Sequence, residues 1–272
     1  MPRFSANLSF LFGERATMAE RIDAAAACGF AGVEYMFPYA EDVGTLRARL
    51  DANGLEQVLF NLPAGDFAAG ERGIAIDPSR RDEFARGVAD AVRIARDLRC
   101  RRVNCLVGKR LGDVDEAMQR ATLVANLRHA ASELSRADVT LVIEPLNRIE
   151  TPEFFVGTTA EGLALIADVG APNLLLQYDC YHAQRVEGNL IATIRAHAAT
   201  RFGHVQIADS PGRNEPGTGE IAYERVLRAL DASGYGGWVG LEYKPSARTE
   251  DSLGWIEALG FARGRAVTAA AR

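Results

Sequence analysis

Eight short apolar runs recur along this chain, each followed by a stretch of helical character, and few folds accommodate that rhythm. The runs are RFSANLSF (3–10), GVEYMF (32–37), EQVLFNL (56–62), RVNCLVG (102–108), TLVIEP (140–145), NLLLQYD (173–179), HVQIAD (204–209) and WVGLEY (238–243). They are rich in Val, Leu and Ile and mostly lack apolar–polar alternation, so they read as strands buried on both faces. Helix candidates fall between them at about 15–28, 42–53, 80–98, 115–136, 159–169, 187–201, 221–233 and 249–260. Cys28-Gly29 and Ser233-Gly234 place glycine where a left-handed helix cap is needed, and Asp77-Pro78 reads as an N-cap and first helical residue. Eight strand–helix units in series predict an α/β protein with one (β/α)8 TIM barrel over residues 1–260. The Ala/Arg-rich tail, 261–272, is expected to be flexible. An open doubly wound sheet would carry GxGxxG after an early strand, and none is present.

Charge and cysteine usage exclude several function classes. A formal net charge of −5 argues against nucleic acid as partner, because that role needs a basic face. The four cysteines, Cys28, Cys100, Cys105 and Cys180, form no CxxC pair and lie in or beside apolar stretches, as reduced thiols of a cytosolic protein do. The first residues enter a strand almost at once and leave no room for a signal peptide, and no apolar run approaches a membrane span. A soluble, cytoplasmic protein with no membrane partner is expected.

Polar residues at the C-terminal ends of barrel strands open onto the catalytic face. The fifth run ends on Glu144, the sixth on Asp179 and the eighth on Glu242, and the seventh carries Gln206. Three carboxylates and an amide would therefore converge from four consecutive strands. Three negative charges in one pocket cost several kcal/mol unless neutralised. A divalent cation neutralises them, and an oxygen-rich donor set suits a hard ion such as Mg2+ or Mn2+.

Further residues fall on the same face. Lys109 and Lys244 are the only lysines against 29 arginines, and both follow strand ends. Either is a candidate for a substrate carboxylate, with an ordinary rim residue as the alternative. His182 lies three residues beyond Asp179, so one turn carries both to the pocket, whereas His204 lies deeper, where a packed core histidine is as good a reading as a ligand. His129 and His197 fall inside helices and read as structural. The glycine-rich segment 63–79 is too long for a routine connection and suits an active-site lid. The segment 210–220 carries Arg213 and reads as turn chemistry, since no P-loop pattern is complete.

These stretches resemble the hydroxypyruvate isomerase family of xylose-isomerase-like barrels. The resemblance runs through RFSANLSFLFGE (3–14), GVEYMFPY (32–39), NLPAGDFAAGERGIA (61–75), VNCLVGK (103–109), LVIEPLN (141–147), QYDCYHAQRVEGNL (177–190), HVQIADSPGRNEPGTGEI (204–221) and GWVGLEYKP (237–245). It implies Glu144, Asp179, Gln206 and Glu242 as metal ligands, with Glu144 and Glu242 also moving the proton. Similar ketose epimerases usually place a histidine where Gln206 stands; the amide offers a neutral oxygen and favours a hard metal.

The implied reaction interconverts hydroxypyruvate and tartronate semialdehyde, either glutamate serving as general base. Arg213, Lys109 or Lys244 would hold the small hydroxy-keto acid by its carboxylate, Arg213 best through its planar fork, and His182 would act as shuttle or donor to a hydroxyl. The same signature covers 2-oxo-tetronate isomerases, which act on an acid one carbon longer. A ketose 3-epimerase is disfavoured by Gln206. A barrel endonuclease would need a histidine-rich zinc cluster, and a binding barrel without chemistry would not retain the acids. Similar barrels are commonly dimers or tetramers, so a homo-oligomer is expected on resemblance alone.

Overall fold

The computed structural model describes residues 1–264. Eight parallel strands close into a barrel in sequence order: β1 (Arg3–Asn7), β2 (Gly32–Glu34), β3 (Glu56–Asn61), β4 (Arg102–Cys105), β5 (Thr140–Ile143), β6 (Leu174–Asp179), β7 (Phe202–Ile207) and β8 (Trp238–Leu241), with β8 pairing back onto β1. Seven of the strands are shorter than the runs that encode them, and β7 is as long as its run but starts two residues earlier. Glu144 and Glu242 each stand one residue beyond a strand, while Asp179 closes β6 and Gln206 lies within β7.

The outer ring comprises α1 (Met18–Ala27), α2 (Val43–Asn53), α3 (Arg81–Leu98), α4 (Glu116–Ser135), α5 (Thr159–Val169), α6 (Cys180–Val186), α7 (Leu190–Arg201), α8 (Tyr223–Ala232) and the short α9 (Trp255–Ala258). Thr17 and Glu20 form a capping box that starts α1 about three residues later than expected. Gly29 and Gly234 adopt left-handed φ of 84° and 83°, as their places after helices require. Two helix expectations need correction. The segment after β6 holds an extra helix, α6, because the Asp179 carboxylate accepts from the Tyr181 amide at 2.8 Å and caps it. The single helix expected over 249–260 is instead a 3₁₀ turn (Glu250–Leu253) and α9, separated by Gly254, a residue that costs a helix interior about 1 kcal/mol.

Alternation along β8 puts Trp238, Gly240 and Glu242 on one face at three levels. At the lowest level Trp238 joins Val58, Leu59 and Val142 in a small apolar cluster separate from the main core. The top level opens to the pocket, and the middle level is polar. The tail expected from residue 261 begins packed: Phe261 is buried against Phe4 at a ring distance of 6.1 Å, and Arg263 donates to Glu257 at 2.7 Å. Residues 265–272, the rest of that tail, lie outside the described residues. All four cysteines are free. No helix among the described residues is long and apolar enough to cross a membrane.

Candidate active site

The middle level is a set of buried polar side chains, of which the sequence reading singled out Gln206 and His204 but neither the central residue nor its other partners. Its centre is Glu34, fully buried, whose carboxylate accepts from Ser5 Oγ (2.7 Å), Asn7 Nδ2 (3.2 Å) and Gln206 Nε2 (2.8 Å). His204 Nε2 lies 2.9 Å from the same carboxylate but out of line for a hydrogen bond. Burial pushes the Glu34 carboxyl up, yet His204, Gln206 and Ser5 outweigh it and hold the group below the ordinary carboxylate range. Gly240 makes the room: a Cβ there would sit 2.2 Å from Glu34 Oε1. His204 is thus a core residue beneath the pocket.

Above this layer stand the acids. Single oxygens of Glu144, Asp179 and Glu242 and a nitrogen of His182 lie within 4.8 Å of one another, all buried. Asn7 Nδ2 bridges down from Glu242 (3.2 Å) to Glu34, and Asn104 Nδ2 reaches Glu144 at 3.3 Å. Burial, and then the charges of Glu242 and Asp179, drive the Glu144 carboxyl well above its usual range. Burial raises Asp179 to about 6 against the pull of Arg213 and two backbone amides, and raises Glu242 to about 8 despite Arg213. Glu144 Oε1 and Asp179 Oδ2 have no hydrogen-bond partner although both are buried. Orphaned carboxylate oxygens this close together, in an all-oxygen acid set, fit a hard divalent cation.

His182 differs from the acids in what it can offer. The backbone amide of Asn147, which can only donate, points at His182 Nδ1 from 3.3 Å, and the Asn147 side-chain nitrogen does so from 2.7 Å. The Asn147 oxygen is fixed in turn by the Glu150 amide at 2.9 Å. Nδ1 is therefore the acceptor, and Nε2 carries the hydrogen of a neutral ring. Burial, with Arg213 adding to it, holds this imidazole well below its usual range. In that tautomer Nε2 is a donor with no lone pair for a metal, and it stands 3.7 Å from Asp179 Oδ2, too far for a hydrogen bond.

Gln206 turns its nitrogen, not its oxygen, toward the acids. Its Nε2 serves Glu34 and, at 3.4 Å, Glu242, while its Oε1 accepts from Gln177 at 2.6 Å. Arg213, held at φ 57°, supplies positive charge to the cluster, 2.6 Å from Glu242 and 3.8 Å from Asp179. Its guanidinium is framed by the rings of Phe10 and Tyr181. Lys109 spends its ammonium on the Gly70 carbonyl at 2.8 Å, and Lys244 is exposed at the rim. A pocket of about 300 Å3 joins Glu144, Glu242, His182, Arg213 and Lys244. Segment 63–79 forms one wall of it through Phe67 and Arg72, and Arg72 was not among the sequence candidates.

Acids gathered at the C-terminal mouth of a closed parallel barrel are the arrangement of a TIM-barrel enzyme. Residues 22–259 match the family described as Xylose isomerase-like TIM barrel, and the chain belongs to that family, within its hydroxypyruvate isomerase branch. It is 52% identical to the hydroxypyruvate isomerase of Escherichia coli strain K12 over 94% of this chain and 99% of that protein. It is 44% identical to the 2-oxo-tetronate isomerase of Cupriavidus necator, covering 94% and 98%. Among solved structures, a Brucella melitensis protein named AP endonuclease, family 2, superposes with a TM-score of 0.91 at 41% identity, covering 95% and 99%. These relatives make the chain an enzyme of the isomerase class.

Proposed function

We propose that this enzyme interconverts hydroxypyruvate and tartronate semialdehyde. The observation that carries the reading is the buried trio Glu144, Asp179 and Glu242, two of whose oxygens are orphaned, in a chain so similar to a hydroxypyruvate isomerase. Held by Glu144, Asp179 and Glu242, with Gln206 as fourth donor, Mg2+ or Mn2+ would supply Lewis-acid stabilisation of charge developing on the substrate oxygens. Gln206 can present its oxygen if it exchanges amide ends together with Gln177, whose own oxygen has no partner now. That exchange removes one donor from Glu34.

The remaining chemistry belongs to the side chains. One of Glu144 and Glu242, as carboxylate, takes a proton from C3, the C–H electron pair forms the C2–C3 double bond, and the carbonyl π pair moves onto the C2 oxygen to give an enediolate. The other glutamate delivers a proton to C2, and the hydroxyl proton on the C3 oxygen passes to the C2 oxygen, leaving an aldehyde at C3. Nε2–H of His182 points into the pocket and donates to a substrate oxygen. Arg213 restrains the charge of Glu242 between turnovers. The substrate is a small hydroxy-keto acid, and the free cysteines fit a reducing, cytosolic setting.

A four-carbon substrate is the second reading, favoured by the 2-oxo-tetronate isomerase relative. Turnover of both acids, before and after cation stripping and Mg2+ or Mn2+ add-back, tests both. The proposal expects kcat/KM to favour hydroxypyruvate, to vanish on stripping and to return with cation. A preference for the four-carbon acid installs the second reading, and no turnover of either with cation supplied rejects both.

A further inference from the structure

Three cations line the pocket, Arg72, Arg213 and Lys244, and a fourth, Lys109, stands behind its wall; all but Arg72 are spoken for or outlying. Arg213 is shared among Glu242, Asp179 and Glu150 at 2.6, 3.8 and 3.8 Å. Lys109 is tied to a backbone carbonyl, and Lys244 is exposed. Arg72 is different. It lines the pocket half-buried, and no carboxylate pairs with it among the described residues. Its Nη1 donates to the carbonyls of Phe67 (3.1 Å) and Glu71 (2.7 Å), and its plane lies 3.9 Å over the Phe67 ring. Those contacts fix the guanidinium without neutralising it, and they engage only one of its nitrogens.

The wall that carries Arg72 is braced. Gly73, at φ 103°, approaches so closely that a Cβ would fall 1.8 Å from the Leu106 carbonyl oxygen. Lys109 holds Gly70, and Phe67 packs edge-on against Phe37 at 5.1 Å. The segment expected as a lid packs here as a braced wall that brings a cation to the pocket. Its place in the barrel is equally specific. The wall follows β3, which in a closed ring of eight stands across the mouth from β7, the strand whose loop sends in Arg213. The acids come from β5, β6 and β8, so a short keto acid with its reactive carbons among them directs its other end toward the β3 side.

We infer that Arg72 binds the substrate carboxylate and is the residue that selects acids over neutral ketoses. This rests on the isomerase reading above. An unpaired planar guanidinium matches a carboxylate through two parallel N–H···O bonds, whereas Arg213 would have to abandon Glu242 to do so.

The test compares wild type, Arg72→Met and Arg72→Lys in steady-state hydroxypyruvate kinetics and in Mn2+ titration. Arg72→Met is expected to raise KM roughly 10- to 100-fold, the loss typical of one charge-assisted pair. The drop in kcat is smaller, Mn2+ affinity stays at the wild-type value, and Arg72→Lys recovers part of the KM. A KM within about twofold of wild type in Arg72→Met, with wild type active, overturns the Arg72 assignment alone. Mn2+ affinity falling in step with KM also overturns it, because the wall would then be supporting the acids. Wild type inactive on both hydroxypyruvate and 2-oxo-tetronate removes the isomerase reading, and this inference with it.

Discussion

Replacing Gly240 with alanine tests the buried polar layer more sharply than replacing any polar residue in it. The added Cβ would meet Glu34 Oε1 at 2.2 Å and both Cδ and Oε2 at 2.6 Å. Nonbonded carbons keep roughly 3.5 Å from their neighbours, so the carboxylate must withdraw by about 1 Å. It cannot do so and keep its donors at 2.7, 2.8 and 3.2 Å from Ser5, Gln206 and Asn7. Losing two such bonds to a buried charge, at roughly 1.5–3 kcal/mol each, destabilises the fold by about 3–6 kcal/mol. For a chain of this size that lowers the melting midpoint by roughly 5–10 °C. Asn7 and Gln206 also hold Glu242, so kcat falls as well, while Gly236→Ala, where a Cβ meets nothing, serves as the matched control. Thermal melts and steady-state kinetics of the two variants decide the matter. A Gly240→Ala protein melting within about 2 °C of wild type with full turnover refutes the reasoning, since Glu34 would then have room to spare.

The two glutamates give a prediction of opposite sign for stability. Glu144→Gln and Glu242→Gln should each lower turnover by at least about 1,000-fold, yet leave the cation-free melting midpoint unchanged or higher, because the fold resists their charge; near-wild-type turnover in either variant removes its assigned role. The same raised acids set a pH dependence. A carboxyl lifted from 4.5 to about 8 contributes stability that is complete below its unfolded value and lost as pH rises through about 8. Asp179, lifted to about 6, acts in the same direction, and Glu34, held low, has finished its opposite contribution by then. Melting in EDTA should therefore fall from pH 6 to pH 8.5 and in Mn2+ should fall less; a flat or rising EDTA curve contradicts the burial of these acids. Gln206→His, which supplies a nitrogen where the amide must exchange ends, should tighten Mn2+ binding about tenfold or more by calorimetry, and unchanged affinity would place Gln206 outside the ligand set.

The barrel was legible because its signal is distributed over eight runs, and no single boundary error spoils the count. Glu144 and Glu242 were legible because each sits directly behind an apolar run, where a charge has to be explained. Glu34 was not, although GVEYMF carries a carboxylate through a strand read as buried on both faces. Which way it points depends on register, and β2 shifts register against β3 at Val33/Glu34. Gln177 was obscured likewise by a shift between β6 and β7. His182 was placed correctly at the pocket, but its tautomer hangs on Asn147, 35 positions away and invisible to local pattern. Lys109 illustrates the opposite failure: the right face of the barrel does not determine where a long side chain ends.

Asp179 divides its two oxygens between separate tasks. Oδ1 accepts the Tyr181 amide in the first turn of α6, and Oδ2 is left bare toward Glu144 and Glu242. The bond to the helix removes the carboxylate's freedom to rotate, so the second oxygen is aimed before any ligand arrives and little entropy remains to be lost on binding. The origin of α6, which carries Tyr181 and His182, is surveyed from that same atom group. Donor positions on the helix and acceptor positions in the pocket therefore share one reference point, and distortion of either is transmitted to the other within a single residue.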